Sequence, residues 1–213
     1  MQYDSINNKI IAGYSQLYSY SDIAGWQTLS NYSFPSLISE IEIYQNNSDT
    51  IYVSEGSNLY VSIDGGLTIS LLDSPTSATI TSIEVNKNNP NELWVVQGGW
   101  SAGQKIYHST DMGENWQNIS YNLPNLPSNV VKRHHHTNDL YLGMDIGIYH
   151  FNDETNLWTS FNGNLPNVIV NDIEISEAFN IVTVGTYGRG VWQSSTFDAE
   201  LDSIRIYAYQ IDS

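Results

Sequence analysis

The sequence predicts an all-β chain assembled from five copies of one four-stranded unit. Three observations carry that reading: short alternating apolar runs without a helical period, self-similarity at a fixed interval, and a turn signature that recurs with it. Runs of Val, Ile, Tyr and Trp are broken throughout by Asn, Ser, Gly and Pro, and no 3.6-residue apolar period holds for three turns. Five segments repeat two short strands around a turn, from KIIAGYSQLYSYSDIAGW to NIVTVGTYGRGVWQSS. The apolar residues that open the second strand of each are Leu17, Leu59, Ile106, Ile148 and Val191, spaced 42, 47, 42 and 43 residues apart. This is the period of a four-stranded β-propeller blade, and the longer second interval places extra residues in a turn at 97–105.

Each element follows from the same pattern. An inner strand A is read at ISEIEIY, TSIEVNK, NVVKRH and VNDIEIS, with residues 1–8 supplying the first copy. Strands B and C follow through polar turns, and an outer strand D is read at WQTLS, TISLL, WQNIS and WTSFN. The repeat array covers 1–195. Residues 196–213, with the strand-like run LDSIRIYAYQI, either close the fifth blade or begin a following segment, and the five units form either a ring or an arc of a larger propeller.

Composition bounds the function. Seven Lys+Arg against 23 Asp+Glu give a net charge of -16, which argues against a phosphate-backbone binder and against an anionic membrane surface. Hydrophobic residues at 40% supply a core, so the chain is not an acidic disordered tail. Cysteine is absent, which removes disulfides and thiolate metal sites. No apolar run approaches the roughly 20 residues of a membrane helix, and the N-terminal stretch lacks the pattern of a signal peptide, so an export signal is expected outside this chain.

In the turn between strands C and D, SIDGGLTI (Ser62, Asp64, Gly66) and STDMGENW (Ser109, Asp111, Gly113, Trp116) fit Ser-x-Asp-x-Gly-x-x-Trp, with Ile69 at the Trp position of the first. The carboxylate is expected to accept backbone N–H bonds inside the hairpin, Gly to take the positive-φ position and Trp to pack beneath. The fourth unit keeps Asp153 and Trp158 but has Phe151 and Thr155 for Ser and Gly; the first keeps only Ser19 and Trp26. These boxes, with NPNELWVV, NDLYLGMDIGIYHF and VGTYGRGVW over roughly residues 30–195, resemble the BNR or Asp-box propellers. The likeness is to the C-terminal blades of large secreted Bacteroidota proteins, often type IX-secreted and described as glycosyl-hydrolase-like, and more remotely to sortilin ectodomains, xyloglucanases and sialidases. It implies an extracellular or cell-surface location.

Ligand sites on propellers gather where the B–C and D–A loops meet. There the sequence offers Glu55, Trp100, Asp145, Tyr187 and Arg189 from B–C loops, and Phe34, Tyr121 and Asn125 from D–A loops. Rings beside amides and carboxylates suit sugars, so Trp100, Tyr121, Tyr187 and Arg189 are the candidate ligand-binding residues. Arg189, between glycines in TYGRG, is read first as the cation of a structural salt bridge. A sialidase clamps a carboxylate with three arginines; this chain has only Arg133, Arg189 and Arg205, so that reading fails. A glycosidase needs two carboxylates about 5–10 Å apart, for which Glu55 and Asp145 are the weak candidates. His134, His135 and His136 lie in an A–B turn without a regular partner set, so no metal is expected; calcium is conceivable in an acidic secreted chain, but no D-x-D-x-D-G loop occurs.

The expectation is therefore a non-catalytic binding or scaffold module for a glycan or extracellular protein, without cofactor, nucleic acid or membrane insertion. The alternative is part of a xyloglucanase-like glycoside hydrolase whose cleft needs further blades. Open blade edges are expected to associate with one another or with missing blades.

Overall fold

A computed structural model describes residues 1–197 and 207–208. Its strands form five four-stranded antiparallel sheets, and the fold is a five-bladed β-propeller. Sheet 1 comprises β1 (Gln2–Asp4), β2 (Lys9–Gly13), β3 (Leu17–Ser21) and β4 (Gly25–Thr28); sheet 2 comprises β5 (Glu40–Ile43), β6 (Ile51–Glu55), β7 (Asn58–Ser62) and β8 (Ser70–Leu72). Sheet 3 holds β9 (Ile80–Val85), β10 (Leu93–Gln97), β11 (Ile106–Ser109) and β12 (Gln117–Asn118). Sheet 4 holds β13 (Ser128–Arg133), β14 (Leu140–Met144), β15 (Gly147–Asn152) and β16 (Leu157–Ser160). In sheet 5, β17 (Val170–Ser176), β18 (Ile181–Thr186) and β19 (Gly190–Ser195) are joined by β20 (Tyr207–Ala208), which pairs with Trp192 and Gln193. The remainder of the predicted run 201–211, and Arg205 with it, lies outside the described residues.

The chain divides into two compact units: residues 1–97 with 107–117, and residues 98–106 with 118–213. In the first unit, Ile11 and Leu17 of sheet 1 pack with Ile41, Ile51, Val53 and Tyr60 of sheet 2. The other face of sheet 2 presents Tyr52, Leu59 and Val61 to Ile83, Leu93 and Val95 of sheet 3. In the second unit, Tyr141 and Ile148 of sheet 4 pack with Ile173, Val182 and Val184 of sheet 5. Strand alternation explains this, because each strand sends successive side chains to opposite faces and an inner sheet must bury both. Of the five marker residues, Leu17, Leu59, Ile106 and Ile148 are buried while Val191 is 46% exposed, since it points away from sheet 4.

The C–D turns of sheets 2 and 3 seat each of them on the sheet before it. Ser62 Oγ donates to Asp64 Oδ1 (2.8 Å) and accepts the Gly66 N–H (2.8 Å), while Asp64 accepts the Thr68 N–H (2.9 Å) and hydroxyl (2.6 Å). The turn at Ser109, Asp111, Gly113 and Asn115 repeats these bonds. Gly66 and Gly113 have φ of 92° and 90°, and a Cβ there would come within 2.7 Å of Leu29 and 3.1 Å of Leu72 on the preceding sheet. Glycine is thus needed both for φ and for close approach. Trp116 donates its indole N–H to the Asp73 carbonyl (3.0 Å); Ile69, at the same position of sheet 2, packs into the apolar cluster shared by sheets 1 and 2. Trp158 is 3% exposed and donates to the Ile119 carbonyl (2.8 Å).

Two turns depart from the expected box. In the fourth repeat Asp153 is exposed, and Asn152 Oδ1 instead accepts the Thr155 N–H and hydroxyl, both at 2.9 Å. With Phe151 in place of Ser there is no hydroxyl to orient a carboxylate at 153. In the first repeat Ser21 Oγ accepts the Ala24 N–H (3.2 Å), a neutral substitute for the aspartate.

Truncating the buried indole in Trp158→Ala is expected to lower stability by about 3–5 kcal/mol in urea unfolding, the usual loss for a large core aromatic; an unchanged midpoint would show that the ring carries no packing load. Hydrogen bonds from the Thr68 hydroxyl and N–H and from Ser62 hold the Asp64 carboxyl down at about 2. Its ionised form therefore stabilises the fold fully above the ordinary carboxylate pKa near 4 and loses that effect as pH falls towards about 2. Thermal midpoints measured from pH 5 to 2 should fall less steeply in Asp64→Asn than in the parent, and parallel acid limbs would contradict the assignment.

Candidate functional site

The B–C and D–A loops carry the candidate residues, and the structure treats them unequally. In the first unit Glu55 ends β6 and is buried, 6% exposed. Its Oε2 accepts Asn58 Nδ2 (2.9 Å) and the Tyr60 hydroxyl (3.4 Å), and Ser36 is a further donor. Those bonds, Ser36 first and Asn58 next, outweigh desolvation and hold the carboxyl below its usual range. Burial pushes the Tyr60 phenol up to about 12, so both groups keep their hydrogen-bonding protonation states at neutral pH. Tyr60 also meets Phe34 edge-on at 5.0 Å, and Phe34 is buried at 4% exposure. Phe34 is thus a core side chain and not a loop contact, because the loop folds it back onto sheet 2.

The second unit holds the exposed candidates. Trp100 is 65% exposed in the loop 98–105. Behind it, Lys105 is fully buried with Nζ on the Gly99 carbonyl (2.9 Å), and burial lowers its pKa. The hydroxyl of Ser120 receives the Lys105 N–H at 2.8 Å and Asn118 Nδ2 donates to the Gly103 carbonyl, so both ends of the loop are tied down and its tip projects. Sequence reasoning passed over Lys105, since a lysine in a polar loop gives no sign that it will fold under its own turn.

Tyr121 is 43% exposed, adopts φ of 35° and stacks on Phe151 at 5.9 Å with rings 3° from parallel. Tyr187 is 72% exposed at the tip of the turn between β18 and β19, anchored by its N–H on the Ile169 carbonyl (2.9 Å). Arg189 is exposed, and its carbonyl accepts the Trp192 indole N–H (2.9 Å). Among the described residues Arg189 forms no ion pair, so the expected salt bridge finds no partner there; its flanking glycines turn the side chain outward. Asp145 accepts Asn129 Nδ2 (3.1 Å), which also donates to the Val170 carbonyl and so braces sheets 4 and 5. Arg133 is buried in β13 with its guanidinium on Asn138.

The A–B end of sheet 4 gathers histidines without making a metal site. His134 is 1% exposed, with Nδ1 bonded to the Thr137 hydroxyl (2.9 Å), and its Nε2 is buried without a partner among the described residues. His136 Nδ1 lies 3.1 Å from Glu177, whose other oxygen accepts the His135 N–H (3.0 Å). Asp139 holds His150 at 2.8 Å. Burial alone would raise the Asp139 carboxyl, but the bonds from His150 and Thr137 prevail and lower it. Among the described residues no group of three His, Asp or Glu can hold a metal ion.

No family model and no curated protein matches this chain. Solved structures do. A GH74 enzyme of Niastella koreensis superposes with a TM-score of 0.74 at 13% identity, over 96% of this chain and 36% of that one. The GH74 xyloglucanase of Xanthomonas campestris gives 0.68 at 12%, over 87% and 34%. The extracellular domain of the BT4673 one component system of B. thetaiotaomicron gives 0.69 at 18%, over 95% and 26%. At these identities the likeness is one of fold, and this chain spans about a third of the length of the two GH74 enzymes.

Replacing Glu55 by leucine strands the Asn58, Tyr60 and Ser36 donors around a buried apolar group. A loss of about 1–3 kcal/mol is expected in chemical unfolding, with Glu55→Gln milder because it keeps an acceptor; a neutral Glu55→Leu would mean that the carboxylate is not the organising group of this loop.

Proposed function

We propose that the chain is an extracellular binding or scaffold propeller module, taking glycans or a surface partner on its B–C and D–A loops. The observation that carries this reading is the contrast between the loops: Trp100 and Tyr187 stand 65% and 72% exposed on tethered turns, whereas Glu55 is buried and fully engaged. A large exposed ring on an anchored loop loses little entropy on contact and offers a face to sugar C–H groups or to a protein hot spot. Tyr121, stacked on Phe151, and the exposed Arg189, which forms no ion pair among the described residues, extend the same surface chemistry in the second unit.

The second reading, part of a glycoside hydrolase, draws on the likeness to GH74 enzymes including a xyloglucanase. Its weakness is chemical. A general acid needs a raised pKa, and Glu55 is held low by three donors. Under the binding reading Glu55 shapes its loop and Asp145 braces sheets 4 and 5.

Binding is tested by glycan array followed by calorimetry on any hit, with xyloglucan oligosaccharides included. Trp100→Ala and Tyr187→Ala are each expected to weaken the interaction by about tenfold, roughly 1.4 kcal/mol, with the fold intact by circular dichroism. An array without hits, or variants equal to the parent, would remove the glycan reading. Release of reducing sugar that disappears in Glu55→Gln would replace it with the enzymatic one.

A further inference from the structure

Lys105 closes the loop that carries Trp100, and its burial is not explained by stability. A lysine ordinarily lays its methylenes along apolar surface and keeps the ammonium in water. Here the whole side chain is buried, and Nζ donates to the Gly99 carbonyl at 2.9 Å. No carboxylate pairs with it among the described residues, and desolvation is what lowers its pKa. One neutral acceptor offsets only part of the hydration that an ammonium loses, so an apolar side chain of the same length would serve the fold as well or better.

What the ammonium does supply is backbone direction. The loop reads Gly98-Gly99-Trp100-Ser101-Ala102-Gly103, a run with little conformational preference of its own, and Gly99 and Gly103 sit at φ of 94° and 66°. Its far limb is held by the neighbouring strand: the Ser120 hydroxyl receives the N–H groups of Lys105 (2.8 Å) and Ile106 (3.2 Å), and Asn118 Nδ2 donates to the Gly103 carbonyl (2.7 Å). The limb with Trp100 is reached from inside, by Nζ on Gly99. That carbonyl and the Trp100 N–H belong to one planar trans peptide, so drawing the oxygen inward turns the N–H outward and sets the direction in which the chain enters Trp100. Trp100 then stands 65% exposed although two glycines precede it.

We propose that Lys105 is a positioning residue for Trp100: its buried ammonium, by holding the Gly99 carbonyl, fixes the outward stance of the ring at a cost in stability to the fold. Pre-ordering a ring in this way removes the entropy that a mobile glycine-rich loop would lose on contact with a ligand. Gly99 is itself exposed, so without the ammonium its carbonyl turns to water and nothing is stranded. Only the effect on ligand affinity rests on the binding reading of the B–C loops; the stance of Trp100 does not.

The experiment compares the full chain with Lys105→Met, which keeps the stem and removes the charge. The urea midpoint of the variant is expected to equal or exceed the parent's, while amide exchange across 99–104 quickens at least about tenfold. With 5-fluorotryptophan incorporated, the fluorine line absent from Trp100→Phe should sharpen in Lys105→Met, and the lines of the other tryptophans should stay in place. Affinity for xyloglucan oligosaccharides should fall about tenfold, as in Trp100→Ala, with the double variant no weaker than Trp100→Ala alone. A midpoint well below the parent's, or failure of Lys105→Met to fold, would make Lys105 a stability element and overturn the proposal. Unchanged exchange and line width would overturn it too, since the loop would then hold its shape without the ammonium, and so would losses that add in the double variant. A parent that ignores these oligosaccharides counts against the glycan reading, and the ligand-free measurements on the loop decide the role of Lys105 regardless.

Discussion

The constraint on which the structure rests is that a four-stranded antiparallel sheet cannot bury itself. Alternation sends half of each strand to either face, and in this chain the faces are rich in Ile, Val and Tyr, so each sheet depends on its neighbours for cover. Sheet 2 makes this explicit: Ile41, Val53 and Tyr60 go one way into the cluster with sheet 1, and Tyr52, Leu59 and Val61 go the other way into the cluster with sheet 3. Among the described residues these apolar clusters lie between neighbouring sheets, so stability is distributed over interfaces as it is in repeat proteins generally.

The C–D turn is the device that sets those interfaces. A serine hydroxyl and an aspartate carboxylate satisfy the amides of a turn too tight to pair its own backbone, and the side chain two residues past the glycine, Thr68 or Asn115, closes the second carboxylate oxygen. The result is a rigid corner that brings glycine against the preceding sheet's leucine and delivers the following apolar residue into the gap. That residue is Trp116, Trp158 or Ile69, so the site tolerates change of size while the corner is kept. Where the serine is lost, at Phe151, Asn152 takes over the amide-capping work, yet Trp158 remains the most buried of the three tryptophans at this position (Trp26, Trp116, Trp158). Packing of the indole therefore outlasts the hydrogen-bonded motif that positions it.

Much of this was legible in the sequence, and for a physical reason. Strand periodicity and repeat length are one-dimensional consequences of the pleat and of blade size, and strands A to D fall where the alternation puts them, from ISEIEIY at β5 to WTSFN at β16. The boxes were legible because their bonds are local, spanning two to four residues. What sequence reading could not supply were contacts between repeats and the burial of polar groups. Phe34 reads as a loop aromatic but is core; Glu55 reads as a weak candidate for a catalytic pair but is fixed by Ser36, Asn58 and Tyr60; Lys105, to which the sequence assigns no role, is fully buried. Each depends on how a loop folds back, which no periodicity records. Asp153 was misread for a subtler reason: its neighbour Asn152 can make the same amide bonds one residue earlier, and only geometry chooses between them.

The same distinction bears on function. A propeller presents a common frame on which unrelated chemistries are mounted, so the likeness to GH74 enzymes and to the extracellular domain of a one component system constrains the frame alone. What differs between a catalytic and a binding propeller is how the carboxylates of the loop end are used. Here one is consumed in shaping a loop and the other in bracing two sheets through Asn129, while the rings that remain exposed are tethered close to their anchoring bonds. Acidity then serves structure: Asp64, Asp111, Asp139 and Glu55 all sit below their ordinary pKa because fold-defining donors point at them. These four carboxylates are thereby committed to turns and loops, and Glu55, the candidate acid of the B–C loop, is one of them.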